Sequence, residues 1–371
     1  MLIKAVYEDE KYLVSAKVER IDVFIKSEKE VLNFPRIIEL DGERLVLVYG
    51  RGRHGGKESR PAAISEDLGQ TWCELGDDSP WTDDVQTSGI LGYFRDGTIA
   101  YINVFPQEAY NIKYSREDGP WHDMHKVSDP TFKIRRFKKT GELQDTSMFK
   151  LMNVPWRKAS YELYGSLLEL DGGSYMTAFQ ALPDDNSTEF SVGVWRSVDN
   201  CKTFEMVHVF DPAKTDLPKG NQGFCEPDII SLANGDLLCV MRTGGRTQMF
   251  QSRSRDGGST WSDPVSVGWP GVKPCLKLLS NGVLVCTAGR GYYGNPQITY
   301  AMFSLDGTGE RWEYPMAFHT GPGCSYTSNM EREGKLYVIY SDSDFSSQLG
   351  TNELPYQSIK CAVINVEKED K

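Results

Sequence analysis

The chain has 371 residues, 39% hydrophobic and 11% aromatic, enough apolar material for a large core, which excludes a disordered or collagen-like chain. Its formal charge of −11 argues against nucleic acid as a partner, since that binding needs a basic face. No run approaches the roughly 18 apolar residues that cross a bilayer, and the start Met1-Leu-Ile-Lys-Ala-Val lacks the basic stretch, apolar run and small-residue cleavage site of an export signal. The expectation is a protein at work in the cytoplasm, with neither nucleic acid nor membrane as partner.

Helical periodicity is nearly absent, and short runs of Val, Ile, Leu, Tyr and Phe punctuated by Gly and Asp read as strands. The segment Ile21-Asp-Val-Phe-Ile25 comes first. Six hairpins follow, each an apolar run, an acidic or Asn residue plus Gly, and a second apolar run. They run from Arg36 to Tyr49 through Asp41-Gly42, from Gly89 to Val104 through Asp96-Gly97, and from Gly165 to Phe179 through Asp171-Gly172. The remaining three run from Asp228 to Met241 through Asn234-Gly235, from Leu276 to Thr287 through Asn281-Gly282, and from Thr327 to Tyr340 through Glu333-Gly334.

A second series interleaves with the first. Ser65-Glu-Asp67-Leu-Gly69-Gln-Thr71-Trp72 and Ser254-Arg-Asp256-Gly-Gly258-Ser-Thr260-Trp261 both read S-x-D-x-G-x-T-W. Looser copies span Ser115 to Trp121, Ser197 to Phe204 with Cys201 in place of Gly, and Ser304 to Trp312 with one extra residue. Each predicts a tight turn in which Asp bonds the backbone ahead of it, Gly takes positive φ and Trp packs beneath. Such a turn is a structural device and not a site.

A period of roughly fifty to eighty residues signals a repeat architecture. Six repeats with room for four short strands predict an all-β fold, a six-bladed β-propeller of four-stranded antiparallel blades forming a single domain over 1–371. A pair of sandwiches explains the period less well. Residues 120–160 fit a blade poorly: Lys133, Arg135, Arg136, Lys138 and Lys139 alternate with Phe132, Ile134 and Phe137. They predict an insertion or elaborated loop between blades two and three, its basic face either a solvated strand or a grip on an anionic substrate. Ile21 to Ile25 is expected to lend an outer strand to the last blade and so close the ring.

Eight cysteines in so long a chain form no dense framework. Cys239, Cys286 and Cys361 lie in predicted strands, where a reduced thiol acts as a small apolar residue. No C-x-x-C pair occurs, and His122 and His125 lack a third ligand, so neither a metal nor another cofactor is expected.

Strand parity sorts the polar residues. In a four-stranded antiparallel blade the first–second and third–fourth turns share one face, so both motif series lie there, and the opposite face receives first-strand starts and second-strand ends. Blade one offers that face Arg36, Arg51, Arg53, His54, Glu58 and Arg60. Blades two and three offer Asp83, Asp84, Gln86, Tyr161, Glu162, Tyr164, Gln180, Asp184 and Asp185. Blades four to six offer Glu226, Arg242, Arg246, Lys273, Arg290, Tyr326, Asp342 and Asp344. Each alone reads as a rim residue, but their convergence at an axis, with several guanidinium forks, points to a small acidic ligand such as a sugar acid.

The octapeptides are similar to the Asp boxes of the sialidase superfamily, and the six-hairpin plan extends that resemblance over nearly the whole chain. Phe34-Pro-Arg36-Ile37 resembles the family's F/Y-R-I-P segment in permuted form. Cys225-Glu226-Pro227 with Leu237 to Arg242 resembles its glutamate strand and second arginine, and Gly323 to Ser328 with Gly334 to Tyr340 resembles the segment of its nucleophilic tyrosine. The resemblance implies an exo-glycosidase that removes a terminal acidic sugar from a glycan. Tyr326 would be nucleophile, Glu226 its base, and Arg36, Arg242 and Arg290 would hold the substrate carboxylate, with Arg53, Arg60, Gln180 and Asp84 as further substrate contacts. The family's acid/base aspartate belongs in the loop Gly50 to Arg60, which has no Asp, so either His54 or Glu58 protonates the leaving group or the reaction is not ordinary sialoside hydrolysis. A His in this loop also resembles sialidase-like propellers that cleave rhamnose–glucuronate linkages. Three readings stay open: glycosidase, uronate-directed lyase, and a carbohydrate-binding propeller without catalysis.

Overall fold

The computed structural model describes residues 3–52, 60–82, 89–105, 128, 130–183, 189–216, 222–244, 247–289, 297–321, 326–343 and 357–371. The chain opens with β1 (Lys4–Glu8) and β2 (Tyr12–Ser27). Blade one is β3 (Leu32–Glu39), β4 (Leu45–Arg51), β5 (Ala62–Ser65) and β6 (Cys73–Glu74), and blade two is β7 (Ile90–Tyr93), β8 (Ile99–Phe105), β9 (Thr131–Phe137) and β10 (Leu143–Met152). Blade three divides its first strand into β11 (Ala159–Glu162) and β12 (Leu167–Glu169), both paired with β13 (Tyr175–Pro183), and continues with β14 (Ser191–Ser197) and β15 (Thr203–Phe210). Blade four is β16 (Phe224–Ser231), β17 (Leu237–Thr243), β18 (Phe250–Ser254) and β19 (Val265–Ser266). Blade five is β20 (Val272–Leu278), β21 (Leu284–Gly289), β22 (Gln297–Ser304) and β23 (Met316–Gly321). Blade six is β24 (Thr327–Arg332), β25 (Lys335–Asp342) and β26 (Gln357–Asp370), completed by β2 and β1.

The ring is visible in where the core lies. Six apolar clusters each fill one seam between neighbouring blades. Ile38, Val46 and Val48 of blade one, for example, meet Leu91, Ile99 and Tyr101 of blade two. Alternation makes this possible, because successive residues of one strand face opposite neighbours, so the inner strands of a blade are buried on both faces.

All six predicted hairpins are present as first–second strand pairs. The Asp boxes form the third–fourth turns as expected. In the box at Ser254, Asp256 Oδ1 accepts the Thr260 N–H at 2.9 Å, Oδ2 accepts the Thr260 hydroxyl at 2.6 Å, and the Gly258 N–H reaches Ser254 Oγ at 2.7 Å. These bonds, those from Thr260 foremost, hold the Asp256 carboxyl down to about 2. The looser copy at Ser197 keeps the same bonds, with Cys201 at φ 63° in the glycine position, and the copy at Ser304 keeps the bond from the Gly309 N–H to Ser304 Oγ while Asp306 accepts from Thr308, two residues on. The copy at Ser115 lies outside the described residues.

Closure follows the expected route and is longer than Ile21–Ile25 alone. β2 pairs antiparallel with β26 from Tyr12↔Asp370 to Ser27↔Gln357, so strands from early and late in the sequence together tie the last blade.

One expectation is corrected. The segment read as an insertion supplies, at β9 and β10, the third and fourth strands of an ordinary blade two. Phe132 and Ile134 pack into the seam with blade three and Phe137 into the seam with blade one, while Arg136 donates to Asn200. An outer strand carries charge on its wet face, which masks its apolar period. β10 also pairs in parallel with β15, at Lys150↔Thr203 to Met152↔Glu205, joining blades two and three into one sheet.

Val14 of the closing strand is fully buried against Val283 and Phe303 of blade five. Val14→Asp places an unpaired charge there and is expected to cost about 3 kcal/mol or more, read as a lower urea midpoint at unchanged m-value.

Candidate functional site

Three first strands share one irregularity. Asn33 pairs with Gly50 and Arg36 with Val48, leaving Phe34-Pro35 unmatched. Cys225 pairs with Arg242 and Asp228 with Val240, leaving Glu226-Pro227; Val272 pairs with Gly289 and Cys275 with Thr287, leaving Lys273-Pro274. Proline has no N–H for the ladder and a fixed φ, so a strand that continues past it bulges. Phe34, Glu226 and Lys273 stand at φ 46°, 45° and 43°, left-handed values that are costly for a non-glycine residue and disfavoured before proline. Strain of this kind gathers at functional sites.

The three bulged side chains and their neighbours meet around one carboxylate. Glu226 Oε1 accepts the Tyr326 hydroxyl at 2.7 Å and Arg242 Nη1 at 2.7 Å, and Oε2 accepts the Lys273 backbone N–H at 2.8 Å. The Glu226 N–H donates to Gln180 Oε1, whose Nε2 donates onward to Glu162 Oε2 at 2.8 Å. The Tyr164 hydroxyl reaches the same Glu162 oxygen at 3.1 Å. Phe34 lies edge-on to Tyr326, ring centroids 4.4 Å apart. Glu226, Arg242 and Tyr326 are all buried, so the carboxylate is desolvated and depends on these donors.

The chemistry available to this pair is proton transfer from a phenol to a carboxylate at hydrogen-bond distance. A phenol whose proton passed to such a carboxylate would gain nucleophilic character, as any nucleophile with an adjacent base does.

A second group of charges lies on the axis beside it. Burial pushes the Lys273 ammonium down to about 8, the Arg36 cation adding to the effect, and Lys273 Nζ donates to the Thr327 carbonyl at 2.6 Å. Burial raises the Asp228 carboxyl, whose oxygens accept the Leu276 N–H at 2.7 Å and the Ser166 hydroxyl at 2.8 Å. Arg36, expected to hold a substrate carboxylate with Arg242, acts on the same Lys273 and bonds backbone carbonyls. Its Nη2 donates to the carbonyls of Gly89, at 2.8 Å, and Gly165, so the guanidinium ties blade one to blades two and three.

Of the sequence-derived candidates, Tyr326, Glu226, Arg242 and Gln180 come together here. Arg60 is buried just before β5 and donates from Nη2 to the Phe34 carbonyl at 3.3 Å. Arg53, His54, Glu58, Asp84 and Arg290 lie outside the described residues. At the same face Asp342 accepts His319 Nε2 at 2.9 Å and also Lys360; although burial opposes it, these bonds hold its carboxyl below the usual range. Among the described residues no group of three or more His, Cys, Asp or Glu is placed to hold a metal ion. Sequence reading put Lys273 and Glu162 on this face without giving either a role. The sequence carries a signal for Lys273: Phe34-Pro35, Glu226-Pro227 and Lys273-Pro274 each precede a first–second hairpin.

Residues 165–338 match the family model described as BNR repeat-like domain. No curated protein matches the sequence. Among solved structures, a protein of unknown function from Dyadobacter fermentans is similar at TM-score 0.70 and 16% identity, over 95% of this chain and 99% of that one. Trypanosoma rangeli sialidase in complex with sialic acid is similar at TM-score 0.57 and 13% identity, over 90% of this chain and 54% of that one. The chain therefore spans about half the length of that sialidase. Penicillium chrysogenum α-L-arabinanase complexed with arabinobiose is similar at TM-score 0.56 and 13% identity, over 93% of this chain and 97% of that one. The fold is thus a sialidase-like propeller, shared with glycoside hydrolases of more than one kind.

Lys273 makes a pH prediction with a definite sign. Its folded value lies below its ordinary 10.5, so between about 8 and 10.5 the unfolded chain binds more protons and this residue's penalty on folding fades as pH rises. Lys273→Met is expected to be more stable than the parent at pH 7, by roughly 3 kcal/mol at most. That advantage should shrink as urea denaturation is repeated from pH 8 to 10.

Proposed function

We propose that the protein is an exo-glycoside hydrolase that removes a terminal acidic sugar from a glycan, with Tyr326 as nucleophile and Glu226 as its base. The observation that carries this reading is the 2.7 Å bond from the Tyr326 hydroxyl to Glu226 Oε1, in a buried site where Arg242 holds the same oxygen. A tyrosine suits an anomeric carbon that already bears a carboxylate, because a carboxylate nucleophile would meet like-charge repulsion there; sialidases depart from the two-carboxylate pattern in this way.

The steps balance. Tyr326 Oη bonds to the anomeric carbon as its proton passes to Glu226 Oε1, the bond to the leaving oxygen breaks, and that oxygen takes a proton from an acid. On the sequence resemblance the acid is His54 or Glu58. Water then attacks the anomeric carbon of the glycosyl-tyrosine, returning one proton to the spent acid and leaving its oxygen and other proton on the sugar, as the bond to Tyr326 Oη breaks and Glu226 returns the proton to that oxygen. Arg242 offsets the negative charge that alternates between phenolate and carboxylate, in a site where low dielectric strengthens the effect.

Tyr326→Phe is expected to lower turnover of a sialyl or uronide reporter by about a thousandfold or more while leaving the melting temperature nearly unchanged. Retained turnover removes Tyr326 from the role of nucleophile. Mass spectrometry of the products reads the reaction class. Products heavier by one water mark hydrolysis, a conjugated unsaturated uronate marks elimination, and binding with no cleavage marks a lectin.

A further inference from the structure

Lys273 carries two costs that packing does not explain. Its side chain is almost wholly buried, and it stands at φ 43° directly before Pro274. Among the described residues its ammonium has one hydrogen bond, to a backbone carbonyl, and no ion pair. A buried cation without a carboxylate partner is expensive, and left-handed backbone before proline adds to the expense. A Met or Leu of similar volume would fill the same space at neither cost of charge nor loss of packing.

The two hydrogen bonds of Lys273 show what it does instead. Its backbone N–H donates to Glu226 Oε2 at 2.8 Å, the oxygen that neither Tyr326 nor Arg242 uses. Its Nζ donates at 2.6 Å to the carbonyl of Thr327, the residue joined to Tyr326. One residue therefore touches the base on one side and the peptide behind the nucleophile on the other. Thr327 has a second tie to blade five, because its hydroxyl meets Thr287 Oγ1 at 2.9 Å and the Thr287 carbonyl at 3.2 Å. That tie docks β24 on blade five without Lys273, which leaves to the ammonium the finer task of setting Tyr326.

We infer that Lys273 is a positioning residue for the Tyr326–Glu226 pair, its backbone fixing the base and its side chain fixing the peptide that follows the nucleophile. The inference rests on the function proposed above. The charge serves the same end. Arg36, Cys275, Asp228 and Glu226 are the groups whose fields reach the ammonium, and a fixed cation in low dielectric favours the ionised form of the pair that attack requires.

The test compares the parent, Lys273→Met and Tyr326→Phe proteins on a sialyl or uronide reporter. Lys273→Met keeps the backbone donor to Glu226 and the reach of the side chain while removing the charge and the bond to Thr327. It is expected to lower kcat by about tenfold to a hundredfold with KM changed by less than about twofold, and to melt no lower than the parent at pH 7. Lys273 is cationic below about 8, so in the parent kcat should fall as pH rises through that value, and this limb should be missing from Lys273→Met. An unchanged kcat, or a limb that persists in the variant, overturns the inference. A readout independent of turnover is the NMR resonance of the Tyr326 ζ-carbon in tyrosine-labelled protein, assigned by its loss in Tyr326→Phe. It should shift in Lys273→Met, and an unmoved resonance also overturns the inference. Should Lys273→Met not fold, Lys273→Gln is read by the same measurements. The two readings fail separately. A shifted resonance, with no reporter turned over or with turnover kept by Tyr326→Phe, leaves Lys273 in its place and removes the nucleophile; a dead Tyr326→Phe beside a fully active Lys273→Met removes Lys273 alone.

Discussion

A single carboxylate buried at the axis constrains much of the molecule. Glu226 belongs to blade four, yet its donors and acceptor come from blade three through Gln180, blade four through Arg242, blade five through the Lys273 N–H and blade six through Tyr326. Arg36 does the complementary work on the other side, joining blade one to the carbonyls of blades two and three. A buried charge tolerates little misplacement, since a lost donor leaves it unpaired in low dielectric. The axis is therefore both the candidate site and one of the devices that set the blades in register.

The bulges are what bring these groups to the axis. A regular first strand would send alternate residues into the two seams, as Ile37 and Ile38 go. The X-Pro insertions break that alternation and release Phe34, Glu226 and Lys273 from the seams, at the expense of left-handed backbone at each. The six seams, the Asp boxes and the closing strand supply the stability against which this strain is held. The two faces of the disc accordingly differ in character, one built of satisfied turns, the other of strained backbone, buried charge and unsatisfied polar atoms.

Local motifs carried much of the plan in legible form. Asp-Gly and Asn-Gly turns placed the hairpins, the S-x-D-x-G-x-T-W boxes placed the outer turns, and parity assigned Glu226, Arg242, Gln180 and Tyr326 to one face. The outer strands of blade two were not legible, because β9 and β10 present charge outward and only part of each strand is buried. The bond between Tyr326 and Glu226, a hundred residues apart, was suggested only by resemblance to a family.

What the sequence by itself determined was the repeat: the number of blades, the turn chemistry, the face on which function is to be sought, and the element that closes the ring. These follow from interactions between residues near one another in the chain. What only the tertiary structure decided was the partner of each charge. Nothing beside Arg36 in the chain tells that its guanidinium meets the carbonyls of Gly89 and Gly165 once the ring is closed. Arg60 and Asn103 look like ordinary loop and strand residues until two blades bury them against each other. The physical reason is that a hydrogen-bond partner at the axis or in a seam comes from another blade, and distance along the chain says nothing of which one.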